Sequence, residues 1–184
     1  TKVYWMDWVG RTTPFDRWSK EVRRSALVLK LLSYQETGAI MAAVTTSLPE
    51  SVGEERNWDY RFCWIRDAAM TLNMLTRLGH LNVAENFFAY VLRVVPYKDD
   101  EIQVMYGIRG NKTLTERTLD WLAGYKHSRP VRVGNAAYTQ RQHDIYGVLL
   151  NAILRYLEVF KIDEPTGERL WTITRSLMRI VMRT

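Results

Sequence analysis

Two apolar stripes separated by one glycine constrain this chain most. Ala68, Leu72, Leu75 and Leu78 recur every three or four residues. After Gly79 the same spacing resumes with Ala84, Phe87, Phe88, Val91, Val94 and Val95, and Pro96 follows. That period is one face of an α-helix, so it predicts a helix from about Arg66 to Gly79 and another over Asn82 to Val95. Gly79 suits the stop of the first helix and Pro96 the end of the second. So short a link makes the two helices antiparallel neighbours.

The rest of the chain repeats the theme less cleanly. Trp18, Val22, Ala26, Leu29 and Leu32 predict a helix over Trp18 to Leu32, bounded by Pro14 and capped by Asp16. Thr37-Gly38 breaks the pattern, Ala39 to Val44 is a short apolar run, and Thr45 to Asn57 is polar and reads as a loop. Gly107, Gly110 and Gly124 mark turns, and Thr115 to Ala123 is expected to form a short helix. A long helix is expected from Tyr138 to Phe160, with Ile145, Leu149, Ala152, Ile153, Tyr156, Leu157 and Phe160 inward. Asp163 to Gly167 reads as a turn. A last helix is expected from Glu168, carrying Leu170, Ile173, Leu177, Ile180 and Val181, with no stop signal before Thr184. Tyr4, Trp5 and Trp8 read as a remnant of a preceding element. The expectation is an all-α fold of helix pairs joined by long loops, with residues 1–14 a remnant or linker and residues 15–184 one helical unit.

Composition removes several classes of function. Apolar residues make up 47% and charged residues 25%, which excludes global disorder. No run approaches the roughly 20 apolar residues of a membrane span. Cys63 is the one cysteine, which excludes a disulfide framework and a Cys-rich zinc module. His80, His127 and His143 lack paired metal-ligand spacing, and Gly107-x-x-Gly110 reads as a turn rather than a phosphate cradle. No metal and no cofactor is therefore expected. The net charge of +6 would suit an acidic partner. The arginines are nevertheless spread from Arg17 to Arg183 instead of clustering on one element, so nucleic acid is not expected. Thr1 to Val9 carries Lys2 and Asp7 without a long apolar core. No secretory signal is read there, and a cytoplasmic location is expected.

The chemistry concentrates in Arg56-Asn57-Trp58-Asp59-Tyr60-Arg61-Phe62-Cys63-Trp64-Ile65-Arg66-Asp67. These twelve residues hold three arginines, two aspartates and four aromatics at a loop-to-helix junction. Aromatic rings stack on the CH-rich faces of sugars, and carboxylate and guanidinium groups bond vicinal hydroxyls or each other. The combination suits carbohydrate recognition. It equally suits an Arg–Asp network that clamps helix ends inside an aromatic core. Cys63 has no nucleophile signature around it and reads as small packing.

Asn57-x-Asp59-Tyr60-x-Phe62-x-Trp64-x-Arg66-Asp67 resembles the first sugar-binding loop of glycoside hydrolase family 15, the family of glucoamylases, glucodextranases and some bacterial trehalases. Other blocks resemble the family in the same order. They include Arg24-Ser25-Ala26-Leu27, Thr45-Thr46-Ser47-Leu48-Pro49-Glu50, Gln103-x-Met105-Tyr106-Gly107-Ile108, Ser128-Arg129-Pro130-Val131-Arg132-x-Gly134-Asn135 and Gln142-x-Asp144-x-Tyr146-Gly147. The resemblance covers roughly residues 4 to 184. Val44 stands where related sequences often have proline.

The resemblance implies a partial (α/α)6 barrel, about half of a six-hairpin toroid. It also implies a parent enzyme that hydrolyses terminal α-linked glucose with inversion, using two glutamates whose carboxyls stand roughly 6.5–9.5 Å apart. Neither glutamate is matched here: Glu50, Glu54 and Glu55 precede the sugar loop, so no catalytic residue is assigned. What the resemblance does carry over is substrate binding. Arg66 and Asp67 would hold the outer hydroxyls of the non-reducing glucose, Tyr60 and Trp64 would wall it, and Tyr138 would lie near the scissile bond. Arg132, Asn135, Gln142 and Asp144 belong to the same block and suit a positioning role. The implied partner is a small α-glucoside, maltooligosaccharide or trehalose, and the exposed flanks of a partial barrel would favour self-association. The rival expectation is a noncatalytic helical module that keeps a sugar pocket or offers the Arg175, Arg179 and Arg183 face to an acidic partner.

Overall fold

The computed structural model describes residues 1–95 and 102–183. Six α-helices lie among them: α1 (Lys2–Gly10), α2 (Ser19–Leu31), α3 (Ile65–Arg77), α4 (Leu81–Val94), α5 (Asp144–Val159) and α6 (Glu164–Arg183). Two-residue strands β1 (Cys63–Trp64) and β2 (Met105–Tyr106) pair antiparallel, as do β3 (Arg117–Thr118) and β4 (Arg132–Val133).

The α3–α4 hairpin forms as its stripes require. Gly79 takes φ +88°, its amide donates to Thr76 O at 3.0 Å, and the His80 amide donates to Leu75 O at 2.9 Å. These paired bonds close the helix with the backbone turn that glycine adopts most readily. Ala68, Leu72 and Leu75 of α3 and Phe87, Phe88 and Val91 of α4 are buried. Each of the larger side chains contributes about 1.5–3 kcal/mol through area removed from water. α3 also packs extensively on α5, and α5 pairs with α6. Phe88 meets Tyr156 with ring centres 4.2 Å apart, joining α4 to α5. Inner helices α3 and α5 thus lie side by side, flanked by α2, α4 and α6. This alternation is that of a partial (α/α)6 barrel, about half of the ring.

Several elements differ from expectation. Thr115 to Ala123 is not a helix: Arg117 faces Val133, Thr118 faces Arg132, and the Leu119 amide donates to Val131 O. A later strand, Arg132–Val133, pairs with these residues instead, and tertiary pairing overrides weak helix propensity. The long helix starts at Asp144 rather than Tyr138. Asn135 accepts from the Ala137 amide at 3.0 Å and caps one 3-10 turn, Ala136–Thr139, after which Gln140 is extended. Helix α6 opens at Glu164, so the expected Asp163–Gly167 turn is its first turn. Asp163 Oδ1 accepts from the Thr166 amide at 3.2 Å, and Pro165 sits where helices tolerate it. Asp16 does not cap α2; Trp18 itself, at φ +60°, holds that position and no side chain bonds the first turn. The expected stops at Pro96 and Thr184 lie outside the described residues.

Residues 1–14 contain α1, which docks on the α3–α4 turn. Trp8 stacks on His80 with ring centres 3.6 Å apart, Thr12 Oγ1 lies 3.0 Å from His80 Nε2, and the Thr13 amide donates to Leu78 O. No helix among the described residues is long and apolar enough to cross a membrane.

Candidate functional site

The loop before α3 runs extended, which gives it two faces. Asn57, Asp59 and Cys63 turn inward and are at most 1% exposed. Trp58, Tyr60 and Trp64 fall on the alternate positions. Tyr60 is 39% exposed and Trp64 8%. Residues 42–47 hold the segment in place: Ala42, Ala43 and Ser47 donate their amides to Phe62, Tyr60 and Trp58 carbonyls.

Asp59 is the fastening point. Its Oδ2 accepts from Arg61 Nη2 at 2.8 Å and the Gly134 amide at 3.1 Å, and its carbonyl accepts from Asn135 Nδ2 at 3.0 Å. Arg132 secures the next position, donating from Nε to Asn57 O at 3.0 Å and from Nη1 to Glu116 at 2.8 Å. Arg132 and Asn135 are therefore positioning residues. Gly134 must be glycine, because it takes φ +82° and a Cβ there would lie 2.0 Å from Thr115 O.

With the loop fixed, Arg66 and Asp67 enter on the first turn of α3, beside the first turn of α5. Arg66 Nη1 donates to Gln142 Oε1 at 2.9 Å and to Asp144 Oδ2 at 3.0 Å, while its Nη2 stands 3.4 Å from Asp67 Oδ2. The bond to Asp144 leads the effects that raise the guanidinium pKa above its ordinary value. Arg66 also lies over the Trp64 ring at 5.7 Å, and Tyr60 and Trp64 have ring centres 6.4 Å apart. Two polar atoms here are shielded from solvent and make no hydrogen bond among the described residues: Asp67 Oδ2 and Trp64 Nε1. Buried polar groups are normally hydrogen-bonded, and Asp67 Oδ2 has only the Arg66 ion pair.

Four of the five expected binding residues thus meet: Tyr60, Trp64, Arg66 and Asp67. Tyr138 lies in the 3-10 turn with its ring half-buried against the core, and its carbonyl accepts from Gln103 Nε2. No hydrogen bond, ion pair or ring contact among the described residues joins it to the other four. Gln142 and Asp144 emerge as the holders of Arg66. Sequence reasoning passed over Asn57, whose amide is buried with neither end hydrogen-bonded among the described residues. It also passed over Trp58; the alternation 58, 60, 64 was the available signal.

Other candidates carry less. Burial pushes the Cys63 thiol pKa up to about 12, which leaves no thiolate at neutral pH. His80 is buried against Trp8, and His127 and His143 are exposed. No group of three or more His, Cys, Asp or Glu among the described residues is placed to hold a metal. A groove of about 420 Å³ between α3, α4 and α5 is lined by Leu72, Phe88, Val148 and Tyr156 and does not reach Arg66 or Asp67. An open cleft of about 450 Å³ adjoins Tyr60 and Trp64.

An aromatic wall, a guanidinium held by Gln142 and Asp144, and the Asp67 carboxylate stand together where the extended segment meets α3 of an all-α scaffold. The model of the glycosyl hydrolases family 15 matches residues 18–184, and the chain belongs to that family. It is 46% identical over 179 residues to a trehalase of Mycobacterium tuberculosis, covering 95% of this chain and 26% of the relative. A trehalase of Thermoplasma acidophilum is 42% identical over 153 residues, 83% of this chain and 26% of the relative. Trehalase 1 of Sulfolobus acidocaldarius is 41% identical over 170 residues, 91% of this chain and 29% of the relative. The chain spans about a quarter of the length of these curated relatives. No solved structure matches it significantly.

Proposed function

We propose that this chain supplies the glucose-recognition part of an inverting α-glucosidase of trehalase type. One observation carries the reading: Asp67 Oδ2 is buried without a hydrogen bond beside an Arg66 already held by Gln142 and Asp144. A hydroxyl donating to Asp67 and accepting from Arg66 satisfies both groups. A sugar lacking that hydroxyl leaves the shielded Asp67 Oδ2 with the Arg66 ion pair and no hydrogen bond, which disfavours that sugar. Tyr60 and Trp64 wall the same ring and place aromatic faces near the positive charge that grows on it in the transition state. The family resemblance assigns Tyr138 near the scissile bond, and no hydrogen bond, ion pair or ring contact among the described residues joins it to the other four.

The names of the similar proteins favour trehalose as substrate, with maltooligosaccharides as the neighbouring class. The two glutamates of the inverting reaction belong to polypeptide outside residues 1–184, so the isolated chain binds and does not turn over. Residues 15–184 form the barrel portion, and α1 of residues 1–14 packs on its α3–α4 turn. Exposed Trp171, Met178 and Met182 on α6 favour self-association of the isolated chain. Ligand-observed saturation-transfer NMR with methyl α-glucopyranoside tests the subsite. Asp67→Asn weakens binding by about tenfold or more, the loss of a charge-assisted hydrogen bond. Undiminished binding by that variant removes the assignment.

A further inference from the structure

We propose that the outward face of α6 is a self-complementary docking surface, on which a second copy of this chain seats its own α6 in antiparallel register. The proposal rests on the self-association reading of Trp171, Met178 and Met182 and deepens it by naming the surface, the register and the partner.

The first observation is spacing. Glu164, Glu168, Trp171, Arg175, Met178 and Met182 follow one another at steps of four, three, four, three and four residues, and all six are exposed. That alternation is the seam of a coiled coil. On its other side the helix buries Leu170, Ile173, Ser176 and Leu177 against the rest of the chain. α6 is an outer helix, so the seam points away from the ring. Trp171 is 57% exposed and Met182 81%, and both leave water when a second helix covers the seam.

The second is the order of the charges. Both glutamates stand in the N-terminal half of the seam. Arg175, with Arg179 and Arg183 flanking the line, fills the C-terminal half. Glu164 and Glu168, Arg175 and Arg179, and Arg179 and Arg183 are like-charge neighbours four residues apart. That order weakens a helix by itself, whereas alternating signs would strengthen it. The helix macrodipole accounts for Glu164 in the first turn and Arg183 in the last, and its effect fades within a turn. Glu168, Arg175 and Arg179 need another reason, and a second copy supplies it.

The third is register. In an antiparallel pair with its two-fold axis near Ile173, the seam layers set Trp171 against Arg175 of the second copy, Glu168 against Met178, and Glu164 against Met182. Arg179 then stands one residue from the layer of Glu168, and Arg183 one residue from that of Glu164. Each acid meets a base across the axis, and the Arg175 guanidinium meets the Trp171 ring. A parallel pair would stack glutamate on glutamate and arginine on arginine, so the charges admit one orientation.

The test is sedimentation equilibrium of the 184-residue chain, with circular dichroism as the control for folding. The unaltered chain dimerises. Glu168→Arg sets a positive charge against Arg179 and weakens the dimer by about tenfold or more; Arg179→Glu does the same with two negative charges. An equimolar mixture of these two variants associates again, as tightly as the unaltered chain, because each charge now meets its opposite. Methyl α-glucopyranoside binds all of them equally, since α6 lies outside the glucose site. Association that ignores both charge reversals, or a mixture no tighter than its components, overturns the α6 seam and leaves self-association to another face. A chain that stays monomeric at every concentration overturns the seam and the self-association reading together, with the glucose reading untouched.

Discussion

Arg66 Nη1 and Asp144 Oδ2 lie 3.0 Å apart although 78 residues separate them in the chain. The contact joins the first turns of α3 and α5 and turns two helix starts into one polar platform. Both side chains keep partial access to water, so the pair contributes modestly to stability. Its larger effect is orientation: one end of the guanidinium is occupied, and the other is presented beside Asp67.

Asp144→Asn tests that division. Urea unfolding falls by about 1 kcal/mol or less, as for other partly exposed pairs. Binding of methyl α-glucopyranoside weakens more than stability does, by about three- to tenfold, because Gln142 alone holds Arg66. A variant that loses stability heavily and keeps its affinity would show a structural clamp instead.

Gly134→Ala tests the scaffold under the loop. The added methyl meets Thr115 O, and the residue must hold φ +82°. Destabilisation exceeds about 1 kcal/mol in a thermal or urea melt, since neither strain can be relieved without moving the backbone. Asp59 loses the Gly134 amide in the same movement, so sugar binding declines with stability.

His80 gives the chain a sign-definite pH dependence. Burial first, then the charges of Lys30 and Arg11, lower its pKa below the ordinary 6.5. The folded chain therefore favours the neutral ring, and the unfolded chain binds a proton more readily. Stability is full above about pH 6.5, the unfolded value, and declines as pH falls from there toward the lower folded pKa. The α1 contact weakens with it, because protonation places a charge on the buried ring that Trp8 and Thr12 cover. His80→Phe keeps an aromatic face for Trp8 and flattens the stability profile between pH 7.5 and 5.5. An unchanged slope in that variant assigns the dependence to other groups.

The α3–α4 hairpin was legible residue by residue. A period of three to four in Ala68 to Leu78 and Ala84 to Val95 has one economical packing, and Gly79 supplies a turn that few other residues tolerate. The Tyr60, Trp64, Arg66 and Asp67 group was legible for a different reason. Its members sit within eight residues at the junction of an extended segment and a helix, so local geometry alone brings them close. Thr115 to Ala123 was misread because its amides pair with a distant strand, and no local pattern encodes that partner. The start of α5 was misplaced for a related cause: Asn135 binds the next turn and delays the helix by several residues.

Local periodicity and turn chemistry, written in the sequence, determined that this chain is helical, where most helices run, and which loop concentrates aromatic and charged groups. Only the tertiary structure decided which of those groups share a ligand-sized space. It chose Gln142 and Asp144 as the holders of Arg66, buried the Asp67 oxygen without a hydrogen bond, and set Tyr138 apart. The reason is physical: helix formation depends on neighbours three or four residues away, whereas a binding site depends on the docking of helix ends that the chain brings together across dozens of residues.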